Sequence, residues 1–128
     1  MKTIQSFRDL TVWQRSIELS VQIYTLTRSF PKEEIFGLPN QLRRASVSIS
    51  SNIAEGQSRL TKGDFINFLS IARGSNAEVR SQLILARHLK FGEESLIVQC
   101  EALATEISKM INALIPSLKS QIAKPRTN

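Results

Sequence analysis

The fold is decided by the stretch TKGDFINFLSIARGSNAEVRSQLILARHLK, which runs from Thr61 to Lys90. Its apolar residues recur at the spacing of one helical face, and no strand-type alternation competes with them. Thr61 followed by Asp64 resembles the capping box that begins many helices. The core line of the face is Phe65, Ala72, Val79 and Leu83. We therefore predict one helix about 40 Å long.

Three more helices are predicted on either side of this stretch. The strong breaks between periodic segments lie at Phe30-Pro31, at Gly56 to Gly63 and at Phe91-Gly92. The predicted helices run from near Leu10 to Arg28, near Leu38 to Glu55, Thr61 to Lys90, and Glu93 to about Leu118. Pro116 should kink or end the last of them. Because the connections are short, the expected fold class is all-α, an up-and-down antiparallel four-helix bundle.

The 128 residues are expected to form a single domain. A short lead covers residues 1–9, and a basic tail over residues 119–128 is expected to fray. With 41% apolar and 22% charged residues, the composition is that of a globular protein and argues against disorder. Charges interrupt the apolar runs, and no signal-type stretch follows the first residues. We expect a cytoplasmic protein without a membrane partner.

The first predicted helix is apolar on two sides. One stripe consists of Leu10, Trp13, Ile17, Val21 and Tyr24, and the other consists of Val12, Leu19, Ile23 and Leu26. The two stripes lie roughly 150° apart around the helix. A single small bundle does not bury both of them. We therefore predict a homo-oligomer, with its interface at Val12, Leu19, Ile23 and Leu26.

The second predicted helix is compatible with such an interface. Its core stripe is Leu38, Leu42, Ala45, Ile49 and Ile53. The opposite side carries Arg44, Val47, Ser48, Ser51, Ala54 and Glu55. The small residues there would let another helix approach closely, but a plain solvated Ser/Ala surface explains them equally well.

No pattern in the sequence indicates catalysis. His88 is the only histidine and Cys100 the only cysteine, which excludes two-histidine and multi-thiolate metal motifs. Cys100 falls on the core stripe of the last helix, so a buried structural thiol is favoured over a nucleophile. There is no Gly-rich phosphate loop. We predict no enzyme activity, no catalytic residues, no metal and no cofactor.

Charge points instead to a polyanion as partner. The chain carries 17 Lys and Arg against 11 Asp and Glu, a net charge of +6. The third predicted helix places four cations on one flank, named here the basic ridge: Lys62, Arg73, Arg80 and Arg87. Together with Arg43, Arg44 and Arg59 they are the candidate contacts to RNA or DNA. The alternative is a solvated flank whose arginines pair with acidic residues of neighbouring helices or subunits.

Several stretches resemble a known family. They are FRDLTVWQRSIEL (7–19), TRSFPKEEIFGL (27–38), FGLPNQLRRASVSISSNIAEG (36–56) and FINFLSIARGSNAEVRSQLILAR (65–87). In order and spacing they are similar to the four-helix-bundle proteins encoded in intervening sequences of bacterial 23S ribosomal RNA genes. Those proteins are related to the accessory variability determinants of diversity-generating retroelements. The resemblance implies a homopentamer, and in retroelement members a basic surface for RNA and a reverse transcriptase.

The resemblance also singles out polar positions. Gln41, Arg43, Arg44, Asn52, Glu55 and Gly56 stand where the family places them, and Glu78 matches the acidic residue of its third helix. Asn52 with Glu55 or Arg44 would form a polar network within or between subunits. The alternative is hydrogen bonding at the helix end before Gly56.

Three functional hypotheses follow from these observations. The leading one is a noncatalytic oligomeric protein that contacts structured RNA or DNA through its basic surface. The second is a structural or protein-interaction scaffold, such as an accessory subunit of a reverse transcriptase. The third is an enzyme assembled across subunits from Glu55, Glu78 and His88.

Overall fold

Four helices make up the computed structural model, which describes residues 4–34 and 37–123. They are α1 (Thr11–Thr27), α2 (Leu38–Gln57), α3 (Lys62–Leu89) and α4 (Glu94–Ala123), with single 3-10 turns at Phe7–Asp9 and Lys32–Glu34. Each helix packs against its neighbours in the order α1–α2, α2–α3, α3–α4 and α4–α1, and no strand occurs within the described ranges. The predicted all-α four-helix bundle is confirmed.

The ends of α3 follow local rules. At its start, the Thr61 hydroxyl accepts a hydrogen bond from the Asp64 backbone N–H at 3.1 Å, as a capping residue does. At its end, Lys90 takes the left-handed conformation, and Gly92 also has a positive φ of 78°. A Cβ on Gly92 would lie 2.7 Å from Leu26 Cδ1. Only glycine lets this turn approach the end of α1 so closely.

The last helix is longer than its sequence predicts. α4 continues through Pro116 to Ala123, five residues beyond the predicted end near Leu118, so residues 119–123 of the predicted tail are helical. Ile115 and Leu118 flank the proline and are 6% and 7% exposed. Their burial offsets the backbone hydrogen bond that proline cannot make. Residues 124–128 of the tail, like residues 1–3 of the lead, lie outside the described part.

The two apolar stripes of α1 exchange their expected roles. Val12, Leu19, Ile23 and Leu26 were the expected oligomer interface, but they are 5%, 0%, 0% and 0% exposed in the core of the single chain. The other stripe reaches the surface, with Ile17 39%, Val21 62% and Tyr24 39% exposed. The inward stripe is interleaved with buried Ser16 and Thr27, whose hydroxyls donate to carbonyls one turn earlier, so they are satisfied where they lie.

Candidate functional site

The basic ridge lies on the flank of α3 that borders α4. Asn76, on the same side of the helix, donates its side-chain N–H to the Ala104 carbonyl of α4 at 2.9 Å. All four ridge side chains are exposed, as the sequence predicts: Lys62, Arg73, Arg80 and Arg87. The helix therefore presents a row of cations over about 37 Å, at roughly 1.5 Å per residue.

Partners from α4 divide the ridge into two parts. Arg87 lies 3.7 Å from a Glu94 carboxylate oxygen and 3.4 Å from a Glu101 carboxylate oxygen. Arg73 makes only a long contact of 3.4 Å to the neutral Asn112 side chain. Lys62 and Arg80 form no ion pair with any described residue. The end of the ridge near Arg87 is thus partly neutralised, and the rest keeps its positive charge.

Lys119 adds to the charged part. It lies seven residues after Asn112 on α4, and residues at this spacing share one face of a helix. Because Asn112 faces Arg73 and the two helices are antiparallel, Lys119 lies towards the Lys62 end of the ridge. Lys119 was not among the candidates predicted from the sequence, because residue 119 was expected to lie in a frayed tail, whereas the helix continues to Ala123.

The other three candidate cations lie away from the ridge. Arg59 forms a 2.7 Å ion pair with Glu55 and stacks 4.9 Å from the centroid of the Phe68 ring. It closes the α2–α3 turn more than it extends the ridge. Arg43 and Arg44 instead border an open cavity of about 450 Å³ on the outer side of α2, together with Tyr24.

Arg43 is fixed in place at that cavity. Its Nε donates to the buried Thr27 hydroxyl at 2.9 Å, and its guanidinium lies 4.6 Å from the centroid of the Tyr24 ring. These two contacts hold the Arg43 side chain in one orientation. Binding of a ligand to its guanidinium would therefore cost little further side-chain entropy. Nη1 and Nη2 donate to no residue in the described ranges, and Arg44 next to it is exposed and forms no ion pair there.

Next to this cavity the surface is apolar. Val47 of α2 is 42% exposed, and with Ile17, Val21 and Tyr24 of α1 it lines a second open cleft of about 410 Å³. We call the clefted surface bordered by these four residues and by Arg28, Arg43 and Arg44 the α1–α2 face. Exposed apolar side chains are thus grouped at one place on the surface, as they are at many interaction sites.

The polar positions singled out by the resemblance divide into structural and surface residues. Asn52 donates to the Ser48 carbonyl at 2.8 Å and to the Ser48 hydroxyl at 3.0 Å, and that hydroxyl lies 2.8 Å from Ser75 of α3. This network joins α2 to α3 within one chain. A Cβ on Gly56 would lie 2.6 Å from Phe68 Cβ, so this glycine permits close helix packing. Gln41 and Glu78 are exposed.

The residues considered for chemistry are not brought together. Cys100 is fully buried, and burial, with a smaller contribution from Glu101, raises the pKa of its thiol to about 11. Such a thiol is a poor nucleophile. His88 is exposed and its Nδ1 lies 2.9 Å from the Ile84 carbonyl at the end of α3. No group of three or more His, Cys, Asp or Glu side chains suited to a metal occurs among the described residues.

A bidentate ion pair joins α1 to α4. Arg15 donates from Nε and Nη2 to the two carboxylate oxygens of Glu106, at 3.1 and 2.6 Å, and from Nη1 to Glu18 at 2.6 Å. The hydrogen bonds from Arg15 lower the pKa of Glu106, and those bonds raise the pKa of Arg15. This pair cannot be predicted from local sequence patterns, because residues 15 and 106 become neighbours only in the folded bundle.

Comparison with known proteins agrees with this fold. A family model described as "23S rRNA-intervening sequence protein" matches residues 8–113. The chain belongs to that family. A solved relative, a protein of unknown function from the S23 ribosomal protein family of Bacteroides thetaiotaomicron VPI-5482, superposes with a TM-score of 0.76 at 27% identity. The match covers 82% of this chain and 98% of the other.

No curated protein matches this family member. None of its described helices is both long enough and apolar enough to cross a bilayer. The family match over residues 8–113 nevertheless contains the basic ridge, the α1–α2 face and the Asn52 network.

Proposed function

We propose that this family member is a noncatalytic, self-associating protein that binds structured RNA or DNA through the basic ridge. The observation that carries the proposal is the row formed by Lys62, Arg73 and Arg80, which α4 leaves without carboxylate partners among the described residues. These residues span about 27 Å along α3. That is long enough to follow several phosphates of a nucleic-acid backbone. A cytoplasmic setting is part of the proposal.

The chemistry of the ridge favours recognition of charge and shape. Lysine and arginine release counterions when they contact phosphates, which supplies affinity without reading sequence. The described side chains of the ridge include no aromatic residue on which a base could stack. The family description, which names 23S rRNA, makes RNA the preferred partner.

Self-association is the second part of the proposal, and the α1–α2 face supports it. The aliphatic side chains there are between 39% and 62% exposed, so burial of the remaining surface of each contributes about 0.5 to 2 kcal/mol. The resemblance to intervening-sequence proteins suggests five copies. An oligomer would present several ridges to one RNA, and linked sites bind more tightly than single ones.

The ridge is tested with a charge-reversed double variant, Arg73→Glu with Arg80→Glu. Arg87 is left intact, because a carboxylate there would face Glu94 and Glu101 and disturb the bundle. Binding to a labelled hairpin of 23S rRNA, measured by fluorescence anisotropy, should weaken by about 10- to 100-fold. The slope of log affinity against log salt should fall by about two, one for each lost phosphate contact.

The matched control is Arg8→Glu with Lys32→Glu, which changes the net charge equally at exposed positions away from α3. It should weaken binding by no more than about threefold, through net charge alone. Equal losses in the two double variants would show that net charge is read and the ridge is not the site. No RNA binding by the wild-type chain at low salt would overturn the RNA proposal itself.

The exposed α1–α2 face favours a second candidate function, a protein-interaction scaffold. In that case the apolar cleft would hold a foreign protein, such as a reverse transcriptase. An assembly that is insensitive to salt and retains no RNA would support the scaffold.

A further inference from the structure

The second flank of α3 has the opposite character to the basic ridge. Asp64, Ile71, Glu78 and Leu85 follow one another at seven-residue spacing, with Leu89 one turn further on. This acidic stripe lies roughly 160° around the helix from the ridge. Ile71, Leu85 and Leu89 are 53%, 49% and 46% exposed. Of the two acidic side chains, neither forms an ion pair with any residue that the structure describes.

The stripe borders α2 and is therefore separate from the ridge. Ser75, four residues after Ile71, bonds to Ser48 of α2, and Phe68 packs over Gly56. All cations of α3 up to Arg87 lie on the α4 flank, and both carboxylates of α3 belong to the stripe. One helix thus carries two surfaces of opposite charge. Three exposed apolar residues belong to the acidic stripe, whereas one, Ile84 at 52% exposure, lies beside the basic ridge.

The α1–α2 face has the complementary composition. The residues lining its two clefts include three arginines, Arg28, Arg43 and Arg44, and no carboxylate. The α1–α2 face and the acidic stripe both also carry exposed aliphatic side chains. Arg44 is an exposed guanidinium in the cavity next to the apolar cleft, and Glu78 is an exposed carboxylate between Ile71 and Leu85.

We propose that the acidic stripe of one copy docks on the α1–α2 face of a second copy, with Glu78 paired to the partner's Arg44. This inference rests on the proposed self-association and specifies which surfaces meet. A contact between two α1–α2 faces would supply no carboxylate for the arginines, since neither cleft has one. Contact between two unlike surfaces gives every copy one of each, which generates a ring or an open chain. The basic ridge stays free on the other flank.

Exchange of the two charges tests the pairing across chains. Arg44→Glu and Glu78→Arg are made in separate chains, and the mass of each is followed by sedimentation against concentration. Each single variant should associate about 10- to 100-fold more weakly than the wild type, because like charges then face each other. An equimolar mixture should regain association. The two substituted side chains then meet with opposite charges at one contact, and the native Arg44–Glu78 pair forms at the alternate contacts.

The mixture also separates the possible failures. A wild-type chain that stays monomeric would overturn the self-association itself. Association that is unaffected by either reversal would overturn this pairing and leave self-association standing. A mixture that does not recover would show that Arg44 and Glu78 act within one chain. If Arg44→Glu lowers RNA affinity while the mass is unchanged, the arginines bind a polyanion and the pairing is wrong.

An apolar substitution provides the matched control. Leu85→Ser in the stripe should also weaken association, whereas Val98→Ser on α4 should not, although Val98 is 47% exposed and Leu85 49%. Thermal melts of dilute samples check that the variants remain folded. Equal effects of the two serine substitutions would exclude the stripe as the docking surface.

Discussion

α1 and α4 are neighbours in the bundle, yet they use their apolar residues differently. α4 turns one broad face to the core, and Ile97, Cys100, Ile107, Ile111 and Ile115 are at most 6% exposed on it. α1 buries one stripe and leaves a second one on the surface. The exposed apolar residues of α1 are grouped with Val47 in one cleft, whereas those of α4, Val98 and Ile122, lie near opposite ends of the helix.

The comparison is tested most strongly by truncating one residue from each stripe of α1. Leu19→Ala should lower the free energy of unfolding by about 2 to 5 kcal/mol, because Leu19 is 0% exposed and leaves a cavity. Val21→Ala should change it by no more than about 0.5 kcal/mol, because Val21 is 62% exposed. Urea denaturation of dilute protein measures both, so that association does not contribute.

The same pair of variants distinguishes the two assignments of the stripes. If the interface lay at Leu19, as the sequence indicated, Leu19→Ala would mainly weaken association and Val21→Ala would mainly destabilise the fold. With the stripes as the structure has them, the order is reversed. Val21→Ala should then reduce the concentration-dependent mass in sedimentation while the melt of dilute protein stays unchanged.

How far sequence predicts this protein depends on how many faces of a helix are apolar. The predicted core stripe of α2 and the predicted burial of Cys100 on α4 are correct, because the core residues of each helix lie on one side of it. On α1, two apolar stripes about 150° apart satisfy the same periodicity. Which one turns inward is decided by packing with the other helices, and by contacts such as Arg15 to Glu106, which lie 91 positions apart.

The candidate site follows the same rule. Exposure of the ridge cations could be predicted, because it depends only on helical spacing within α3. Their partners could not, because Glu94, Glu101 and Asn112 come from α4, whose register against α3 is set by core packing. Lys119 and Pro116 were misjudged because a local rule about proline was overridden by the burial of Ile115 and Leu118.

A smaller effect on stability is expected from the buried thiol of Cys100 on α4. Burial raises the pKa of Cys100 from an ordinary 9.0 to about 11. Between pH 9 and pH 11 the thiol therefore stays protonated in the folded state, whereas it loses its proton in the unfolded state. Stability from this group is fully present below pH 9, and is lost as the pH rises towards 11. The loss should reach up to about 2 kcal/mol.

Other groups titrate in the same range, so the measurement is a difference. Urea denaturation at several pH values between 8 and 11 is compared for the wild type and for Cys100→Ala. The gap between their unfolding free energies should narrow as the pH rises. A gap that stays constant over this range would show that Cys100 is not shielded from water as its position on α4 indicates.

The smallest effect on stability is expected from the Arg15–Glu106 ion pair between α1 and α4. Hydrogen bonds from Arg15 lower the pKa of Glu106, so its contribution to stability is present above the ordinary carboxyl pKa of 4.5 and is lost as the pH falls below it. Glu106→Gln should therefore lower the melting temperature slightly at pH 7, and the difference from wild type should shrink towards pH 3. Salt at about 1 M should reduce it as well, because the pair is partly exposed to solvent.

Glu33→Gln is the matched control for this pair, because Glu33 is exposed and forms no ion pair within residues 4–34 and 37–123. It should leave the melting temperature unchanged at both pH values. If the two substitutions change the melting temperature equally, the Arg15–Glu106 pair does not fix the rotation of α1 about its own axis. The choice between the two stripes would then rest on the packing of Leu19, Ile23 and Leu26 alone. A measurable loss only in Glu106→Gln, together with weaker self-association, would show that the same pair also sets how α1 presents its exposed stripe to a second copy.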